Sequence, residues 1–405
     1  MYLSRLALTD FRSYDSVDLD LGPGVIVFLG PNGYGKTNIV EAVEYLATGS
    51  SHRVATDAPL IRSGAASATI SAKVYAGVDD ERSLTVDLEL RTGMVNKARL
   101  NRAAVRPRDI IGAVRVVSFA PEDLSVVRGD PSARRAFLDD LVIERSPRLA
   151  GPKAEYERTL KQKTALLKAM SGRSVRSAGA GAEETLDVWD EALVRAGAEL
   201  VAARLRTVAD IEGYVASNYD AIAPSPSRAV LRYESKSLAE GISPEVGVIA
   251  EALAQRMTER REDEITRGVC LVGPHRDDLS LSLGDLPVKG YASHGEGWSY
   301  TLALRLASLD LLHADGLEPV LILDDVFAEL DERRRERVVA AMDSVEQTFI
   351  TAAVLRDVPE NLDARVYKVE PGVVHPGVPL RQWEEQAVPV AGSSDHGAGY
   401  TEGRE

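Results

Sequence analysis

The residues with the clearest chemical meaning form one run of eight near the amino terminus. This run, Gly30–Thr37, fits the pattern G-x-x-x-x-G-K-[ST] of a phosphate-binding loop. Its glycines let backbone N–H groups wrap a polyphosphate, Lys36 would reach the β- and γ-phosphates, and the Thr37 hydroxyl would help to hold Mg²⁺. The predicted nucleotide-binding residues are Gly30, Pro31, Asn32, Gly33, Tyr34, Gly35, Lys36 and Thr37, followed by Asn38.

The segments on either side of this loop have the patterns that the motif requires. Val25–Leu29 is a continuous apolar run, which is typical of a buried strand. From Thr37 to Ala47 apolar residues recur at helical spacing, and the positive start of such a helix favours an anion. The order strand, loop and helix therefore strengthens the prediction of nucleotide binding.

A second acidic motif would complete a site for hydrolysis. Val320–Leu323 is apolar and is followed by Asp324 and Asp325, so a buried strand would end in two carboxylates. Asp324 would hold Mg²⁺ together with Thr37, and Asp325 would orient or deprotonate the attacking water. The alternative is a strand that ends in a solvated acidic turn. The predicted catalytic residues are Lys36, Asp324 and Asp325.

Length and composition indicate an ordinary globular protein. The chain has 405 residues, enough for two domains, with 44% hydrophobic and 27% charged residues. No apolar run is long enough to span a membrane, and no signal peptide precedes the first strand. The single cysteine, Cys270, lies in the apolar run Gly268–Gly273, which we interpret as a buried strand. We expect a cytoplasmic protein.

The pattern of apolar and polar residues predicts an α/β domain that is assembled from both ends of the chain, with a helical insertion between them. Alternating or apolar runs at 2–11, 15–21, 24–29, 68–75 and 83–90 predict strands, whereas 132–222 reads mainly as helices around a flexible tip at Ser171–Ala182. The predicted domains are a head of residues 1–130 and 265–375, an arm of residues 131–264, and a mobile tail of residues 376–405.

The run Ser293–Gly297 stands directly before a predicted helix and resembles a family signature. Together with the phosphate loop, Asp324–Asp325 and Leu330–Asp331, it is similar to the ABC ATPases of the SMC-like branch. The resemblance implies that Ser293, Gly295 and Glu296 of one subunit complete the ATP site of another, with Asp331 in the loop that crosses the dimer interface. A helix N-cap is an equally physical role for these residues. The signature-containing lobe is expected to continue to about residue 312.

Further stretches resemble one family within that branch. They are Leu8–Tyr14, Phe119–Leu124, Pro131–Asp139 and Gly273–Asp278, and they are similar to the RecF family of bacterial recombination-mediator ATPases. The resemblance covers about residues 1–375. It implies an α/β fold, namely an ABC-type head with a mixed sheet and an inserted helical arm.

The resemblance also implies a function and partners. Members of this family bind ATP and Mg²⁺, dimerise on ATP binding, act on duplex and gapped DNA or stalled forks, and help RecO and RecR to load RecA. We therefore expect a weak DNA-dependent ATPase. Asp325 stands where ABC proteins commonly carry Glu, and its shorter reach predicts slow turnover, so that ATP acts as a switch. His294 and Trp298 also depart from the usual signature.

The resemblance suggests roles for six other residues, and three of them have a structural alternative. Arg12 would contact nucleotide or form a structural salt bridge, and His275 and Arg276 fit a buried structural network better than a nucleotide site. Thr351 could sense the γ-phosphate at the end of its strand. Either Glu122 or its neighbour Asp123 could stand where related ATPases carry a metal-contacting residue.

Charge is distributed unevenly, which bears on DNA binding. The net charge of −14 argues against indiscriminate nucleic-acid binding, yet Pro131–Arg176 has eleven basic and five acidic residues, and Arg91–Arg108 has six basic residues and no acidic one. Such runs are solvated faces or DNA contacts. On charge alone, the predicted DNA-binding residues are Lys97, Arg99, Arg102, Arg134, Arg135, Lys161 and Lys163.

A different class of function is an ABC ATPase subunit coupled to a membrane transporter. In transport ATPases the signature follows the phosphate loop much sooner than here, where 257 residues separate Lys36 from Ser293. The basic helical insertion between the two also favours the DNA-binding ATPase.

Overall fold

The computed structural model describes residues 1–51, 53–54, 56–171, 182–223, 227–359 and 362–387. Its strands are β1 Tyr2–Phe11, β2 Tyr14–Asp20, β3 Gly24–Leu29, β4 Ser67–Gly77, β5 Asp80–Arg91, β6 Lys97–Leu100, β7 Ala103–Val105, β8 Val116–Phe119, β9 Ala229–Glu234, β10 Asp278–Leu283, β11 Leu286–Pro287, β12 Val320–Asp324, β13 Gln347–Ala352, β14 Ala364–Glu370, β15 Val373–Val374 and β16 Val378–Pro379. Its helices are α1 Lys36–Thr48, α2 Leu124–Arg128, α3 Pro131–Arg145, α4 Ala150–Ser171, α5 Ala182–Ile222, α6 Val246–Arg267, α7 Val288–Tyr291, α8 His294–Ala314, α9 Glu332–Met342 and α10 Leu380–Ala387.

The sheet that carries the phosphate loop is mainly parallel. Its strand order is β15-β14-β3-β13-β12-β8, and β16 pairs with β14. Strands β14, β3, β13, β12 and β8 run parallel, while β15 and β16 are antiparallel to β14. Because the carboxyl ends of parallel strands meet at one edge, the loop after β3 and the acidic end of β12 lie on the same side of the sheet.

A second sheet covers the head. It is antiparallel, with the order β2-β1-β4-β5-β6-β7. Side chains from β1 and β4 pack against α1 and one face of the parallel sheet, and this core includes Leu6, Ile70, Ile39 and Phe28. Helix α1 is therefore held between two sheets, which fixes the loop that precedes it.

The helical part of the chain forms the arm and the lobe that carries the signature. Helix α5, with 41 residues, contacts α4, α6 and α8. A small sheet of order β11-β10-β9 lies beside them, with β9 against α5 and β10 against α3. Head and lobe share one hydrophobic core, in which Leu323 of β12 and Leu302 of α8 are members. The mixed sheets and the helical insertion are those expected from the sequence.

Two local predictions are wrong. Gly268–Gly273 is an irregular turn and not a strand, because Gly268 and Gly273 have φ values of 66° and 124°, which end helix α6 and bend the chain. The burial of Cys270 is confirmed. The mobile tail does not begin at 376, since β16 pairs with β14 and Leu380 of α10 is buried. Residues 388–405 and most of the predicted tip at Ser171–Ala182 lie outside the described residues. In the described part of the chain, no helix has the length and apolar character needed to cross a membrane.

Candidate nucleotide-binding site

The structure brings the two predicted halves of the site together. The Thr37 hydroxyl at the start of α1 donates a hydrogen bond of 3.1 Å to the Asp324 carboxylate at the end of β12. Thr351, directly beside Asp324 in the register of β12 and β13, donates to the same carboxylate oxygen. These three side chains form an oxygen-rich group next to the phosphate loop.

The loop has the backbone shape and the open N–H groups that a phosphate needs. Gly33 and Gly35 have φ values of 83° and 104°, and a Cβ on Gly30 would lie 2.4 Å from the Val369 carbonyl oxygen. These three positions therefore require glycine. Helix α1 has Gly35 as its N-cap and no side-chain cap, so its first N–H groups are available to an anion.

Lys36 is buried but remains close to both acidic and polar groups of the site. Its side chain is 3% exposed, and its ammonium donates a hydrogen bond of 3.1 Å to Asn32 Oδ1. The Asp325 carboxylate lies 3.9 Å from the same nitrogen. An ammonium with two such weak restraints can transfer its contacts to phosphate oxygens.

Burial tunes the two carboxylates at the end of β12. It raises the pKa of Asp324 to about 6, and the hydrogen bonds from Thr351 and Thr37 oppose that shift. Burial also raises the pKa of Asp325, while Lys36 opposes it. Asp325 has a φ of 51°, and its N–H donates a hydrogen bond of 2.9 Å to the Thr351 hydroxyl. This left-handed turn directs the chain away from the strand directly after Asp324.

The available ligands fit Mg²⁺. Thr37 and Asp324 offer one hydroxyl and one carboxylate, and this cation is commonly held by one or two protein oxygens together with phosphates and water. Among the described residues no group of three or more His, Cys, Asp or Glu side chains could hold a metal.

Arg12 forms a structural salt bridge. Its guanidinium donates two hydrogen bonds to the Glu41 carboxylate of α1, at 2.9 and 2.5 Å, and one to the Pro59 carbonyl. Glu41 is fully buried, which would raise its pKa, but the bonds from Arg12 and Ser51 hold that pKa below its ordinary value. This interpretation of Arg12 is confirmed, and a contact with ATP stays a prediction. Asn38, one turn earlier than Glu41, donates to the Ser13 hydroxyl.

The signature residues cap a helix. The Ser293 hydroxyl accepts a hydrogen bond from the Glu296 N–H at 3.3 Å, and the Ser293 N–H donates to the Glu296 carboxylate at 2.8 Å. The N-cap role is therefore confirmed. Trp298 donates to His294 and packs edge-on against Phe119, so both departures from the usual signature fix the start of α8.

Sequence reasoning missed the residue that joins this helix start to the loop at Asp331. Arg334 donates to the Gly295 carbonyl at 2.8 Å, to the Ser299 hydroxyl and to the Asp331 carboxylate, which itself caps α9. A signal existed, because an acidic N-cap with Arg three residues later commonly pairs on a helix.

The remaining residues singled out from the sequence either have a structural role or have a role that stays a prediction. Asp123 is paired with Arg305 and accepts from the Ala120 N–H at 2.9 Å, so its carboxylate is not free for a metal. Glu122 is exposed, and its metal contact stays a prediction. The predicted structural role of His275 and Arg276 is confirmed, since His275 Nδ1 lies 2.6 Å from the Tyr156 hydroxyl and the Arg276 guanidinium donates to the carbonyl of residue 270. The predicted burial is wrong for Arg276, which is exposed, and His275 is half-buried.

The predicted DNA-binding residues do not form one surface. Lys163 is 1% exposed and lies between Asp190 and Glu264, and Arg134 is buried against Asp278 with two bonds of 2.8 Å. The prediction that Lys163 and Arg134 contact DNA is wrong, because a buried, ion-paired cation cannot reach DNA. Arg135 is half-buried. Within the described chain, four members are exposed and have no ion-pair or hydrogen-bond partner: Lys97, Arg99, Arg102 and Lys161.

Comparison with known families and sequences agrees with this geometry. The model of the RecF/RecN/SMC N terminal domain matches residues 2–373. A DNA replication and repair protein RecF from Streptomyces avermitilis is 53% identical over 376 residues, covering 92% of this chain and 99% of that protein. One from Cutibacterium acnes is 50% identical over 386 residues, covering 92% and 98%.

Solved structures show the same fold. The recombination mediator protein RecF-ATPrS in the RecFOR pathway has a TM-score of 0.82 at 24% identity, covering 92% of this chain and 97% of that one. The Smc head domain with an extended coiled coil from Pyrococcus furiosus has a TM-score of 0.52 at 17% identity, covering 95% and 98%. On the family model and the close relatives together, this chain belongs to the RecF family of DNA replication and repair proteins.

Proposed function

We propose that this protein is an ATP-dependent DNA-binding protein of recombinational repair and replication-fork recovery. ATP binding drives dimerisation on duplex or gapped DNA, and slow hydrolysis releases the clamp. The observation that carries the proposal is the group formed by Thr37, Asp324 and Thr351 beside the uncapped start of α1. A phosphate loop and a β12 carboxylate in contact are what Mg²⁺-ATP hydrolysis requires.

Each residue of the site has one task in this proposal. Lys36 and the N–H groups of the loop bind the phosphates, and Thr37 and Asp324 hold Mg²⁺, which would neutralise phosphate charge. Asp325 orients the attacking water and accepts its proton, and its raised pKa makes it a better base than an exposed Asp. Thr351 fixes both carboxylates through its hydroxyl and the Asp325 N–H.

Dimerisation would complete the site from a second copy. Ser293 and Asp331 are exposed, and each is the N-cap of a helix of 21 or 11 residues. Two helix starts held together by Arg334 present N–H groups that would grip the γ-phosphate of a partner's ATP. Because ATP would then bridge two chains, its hydrolysis would weaken the dimer.

DNA would bind along the exposed, unpaired cations of the head and arm. Lys97 and Arg99 point to the same face of β6, and Arg102 follows in the turn to β7. About six phosphate contacts would give a log–log salt slope of about −5. Family membership supports RecR, and through it RecO and RecA, as partners, and the structural relative is named for the RecFOR pathway. Membership of this family gives no support to the alternative, an ATPase subunit coupled to a membrane transporter.

Sedimentation of the wild type and Lys36→Arg, each with ATP and a gapped duplex over a salt series, tests the proposal. We expect ATP-dependent dimers and salt-sensitive DNA binding in the wild type, both lost in the variant. Lys97→Gln/Arg99→Gln is the matched control, since it should dimerise with ATP and bind DNA less tightly. A wild type that binds ATP but remains monomeric and ignores DNA would contradict the proposal.

A further inference from the structure

A cavity of about 860 Å³ lies at the base of the arm, away from the nucleotide site. The start of α3, strand β9 and the turn at Pro274–Arg276 line it. Two of these segments belong to Pro131–Asp139 and Gly273–Asp278, which the sequence singles out and which the nucleotide site does not use. These two segments therefore line one cavity outside the nucleotide site.

Four cationic side chains line this cavity without a carboxylate partner. No ion pair involves any of them within the part of the chain that the structure describes. One is half-buried and three are exposed. A concave surface lined by several charges of one sign focuses their potential, so such a cavity attracts an anion. The four are Arg135, Arg232, Lys236 and Arg276.

The acidic residues nearest to Arg135 do not form an ion pair with it, because their carboxylates are bonded to other side chains. The Asp277 carboxylate accepts from Tyr233 and Ser235 at 2.6 and 2.7 Å, and the Asp278 carboxylate is held by Arg134. In the part of the chain that the structure describes, Arg135 donates only to the Asp277 backbone carbonyl, at 2.8 Å. Its guanidinium remains charged, since arginine does not deprotonate in proteins.

Arg276 is held in a similar way. Two nitrogens of its guanidinium donate to one backbone carbonyl, that of Cys270, at 3.0 and 2.6 Å. This contact orients the side chain without neutralising it. The neighbouring His275 is neutral at physiological pH, because burial lowers its pKa to about 4. Both arginines are thus oriented by carbonyl groups and keep free N–H donors.

The acids that line the cavity do not cancel the four cations. Asp130 lies 3.3 Å from Lys289, and Asp278 is paired as described. Glu234 and Glu240 remain, both exposed. Among the described residues, four cations therefore face two unpaired carboxylates, so the cavity has an excess of positive charge.

We infer that this cavity binds phosphate groups, carried either by the DNA backbone or by a free polyphosphate. Planar guanidinium groups match the oxygens of a phosphate, and a doubly charged, multi-oxygen anion satisfies several cations where a carboxylate satisfies fewer. Helix α3 also begins here, at Pro131, without a side-chain cap, which adds to the positive potential. The DNA source rests on the proposed function, and the free source does not.

Calorimetric titration with inorganic pyrophosphate tests the site directly. The nucleotide site is first filled with one equivalent of a non-hydrolysable ATP analogue, so that the phosphate loop does not contribute and no excess analogue competes for the cavity. We expect binding in the wild type and at least about tenfold weaker binding in Arg232→Gln/Lys236→Gln, which removes two exposed cations without disturbing the core. Lys97→Gln/Arg99→Gln, with the same charge change elsewhere, should bind pyrophosphate like the wild type.

Duplex binding over a salt series then distinguishes the two sources. If DNA supplies the phosphates, Arg232→Gln/Lys236→Gln should lower the slope by about 2, and Glu234→Gln/Glu240→Gln should tighten binding. If the slope for DNA is unchanged in Arg232→Gln/Lys236→Gln while the wild type binds pyrophosphate, the site is assigned to a free polyphosphate. A wild type that ignores DNA overturns the proposed function but leaves the pyrophosphate test valid.

Two results would overturn the inference. One is no pyrophosphate binding by the wild type once its nucleotide site is filled. The other is tighter binding of a hexaglutamate peptide than of pyrophosphate, with the same loss in Arg232→Gln/Lys236→Gln, which would assign the cavity to an acidic protein segment.

Discussion

The guanidinium of Arg334 donates a hydrogen bond of 2.8 Å to the backbone carbonyl of Gly295, at the start of another helix. The same side chain contacts the hydroxyl of Ser299 and the carboxylate of Asp331. One arginine therefore sets the spacing between the signature and the loop before α9. Both segments are proposed to meet the nucleotide of a second copy, so this spacing matters only in the dimer.

Arg334→Ala should weaken ATP-driven dimerisation and leave the affinity of the monomer for ATP unchanged. Hydrogen bonds to a charged group contribute about 1.5–3 kcal/mol, so the dimer dissociation constant should rise about tenfold or more. Sedimentation with ATP measures the dimer, and equilibrium dialysis measures ATP binding. The adjacent Arg333→Ala, which removes an exposed side chain bonded to the Ala221 carbonyl, is the control. Equal loss of ATP affinity and dimerisation would contradict the proposed role.

Thr351→Val should slow hydrolysis and leave ATP binding largely intact. The substitution removes the hydroxyl that donates to Asp324 and accepts from the Asp325 N–H, so both carboxylates lose their positioning. We expect kcat to fall by about tenfold or more, the equivalent of one hydrogen bond to a charged group. Phosphate release at saturating ATP measures it.

The same strand offers a matched control for that experiment. Thr348 is buried on β13, and its hydroxyl has no hydrogen-bond partner in the described structure. Thr348→Val makes the same change in shape without removing a bond, so turnover and stability should be equal to or above those of the wild type. Similar losses of turnover in both variants would show that strand packing, and not the Thr351 hydroxyl, is responsible.

The sequence predicts those parts of the site that depend on local patterns. The glycines of the phosphate loop, the helix after it and the apolar strand ending at Asp324 are each recognisable within a few residues, and the parallel sheet brings them together. The link from Arg334 to Gly295 spans 39 residues and depends on how α9 packs against α8. Such a contact leaves no mark in local composition.

Charge alone cannot separate surface from buried cations. Lys161 and Lys163 lie in the same basic run, but two residues correspond to about 200° around a helix. Lys163 falls in line with buried Tyr156 and Leu167 at helical spacing, so the pattern held a signal of burial. What the pattern could not show is that Asp190 and Glu264, from two other helices, meet it there.

Lys163→Met should destabilise the arm, whereas Lys161→Met should not. The Lys163 ammonium lies 2.6 Å from Asp190 Oδ1 and 2.5 Å from Glu264 Oε2. Its removal leaves the buried Glu264 carboxylate without a cation, whereas Asp190 still pairs with Arg261. The free energy of unfolding should fall by about 3–5 kcal/mol. Denaturant unfolding measures it, and Lys161→Met should stay within about 0.5 kcal/mol of the wild type. A fully stable Lys163→Met protein that binds DNA poorly would restore Lys163 as a DNA contact.

Acid should destabilise the wild type through His275. Burial lowers the pKa of this histidine from 6.5 to about 4, so between these values the unfolded chain takes up a proton that the folded chain does not. The resulting stability is complete above the unfolded pKa and is lost as pH falls. From about pH 7.5 to about pH 5 this contribution of His275 to the free energy of unfolding should fall by about 2 kcal/mol.

Comparison with His275→Gln isolates this effect, because the variant lacks the titrating group. Asp140 and Asp324, whose pKa values burial raises to about 6, titrate in the same range with the opposite sign and cancel between the two proteins. Unfolding in denaturant at both pH values measures the difference. Parallel loss of stability in the wild type and His275→Gln would show that the His275 imidazole is already protonated in the folded state.

Asp325→Asn should separate ATP binding from hydrolysis. Asparagine has the shape of aspartate and tolerates the left-handed backbone, with φ of 51°, that this position requires. It cannot accept a proton from the attacking water, so turnover should fall by about 100-fold or more.

Because no phosphate-binding group is removed in Asp325→Asn, ATP should still bind, and the ATP-dependent dimer should persist on DNA after the wild-type dimer has dissociated. Phosphate release and the lifetime of the dimer after dilution measure the two effects. If hydrolysis continues at the wild-type rate, another group activates the water; if the dimer fails to form, the Asp325 charge acts in assembly instead.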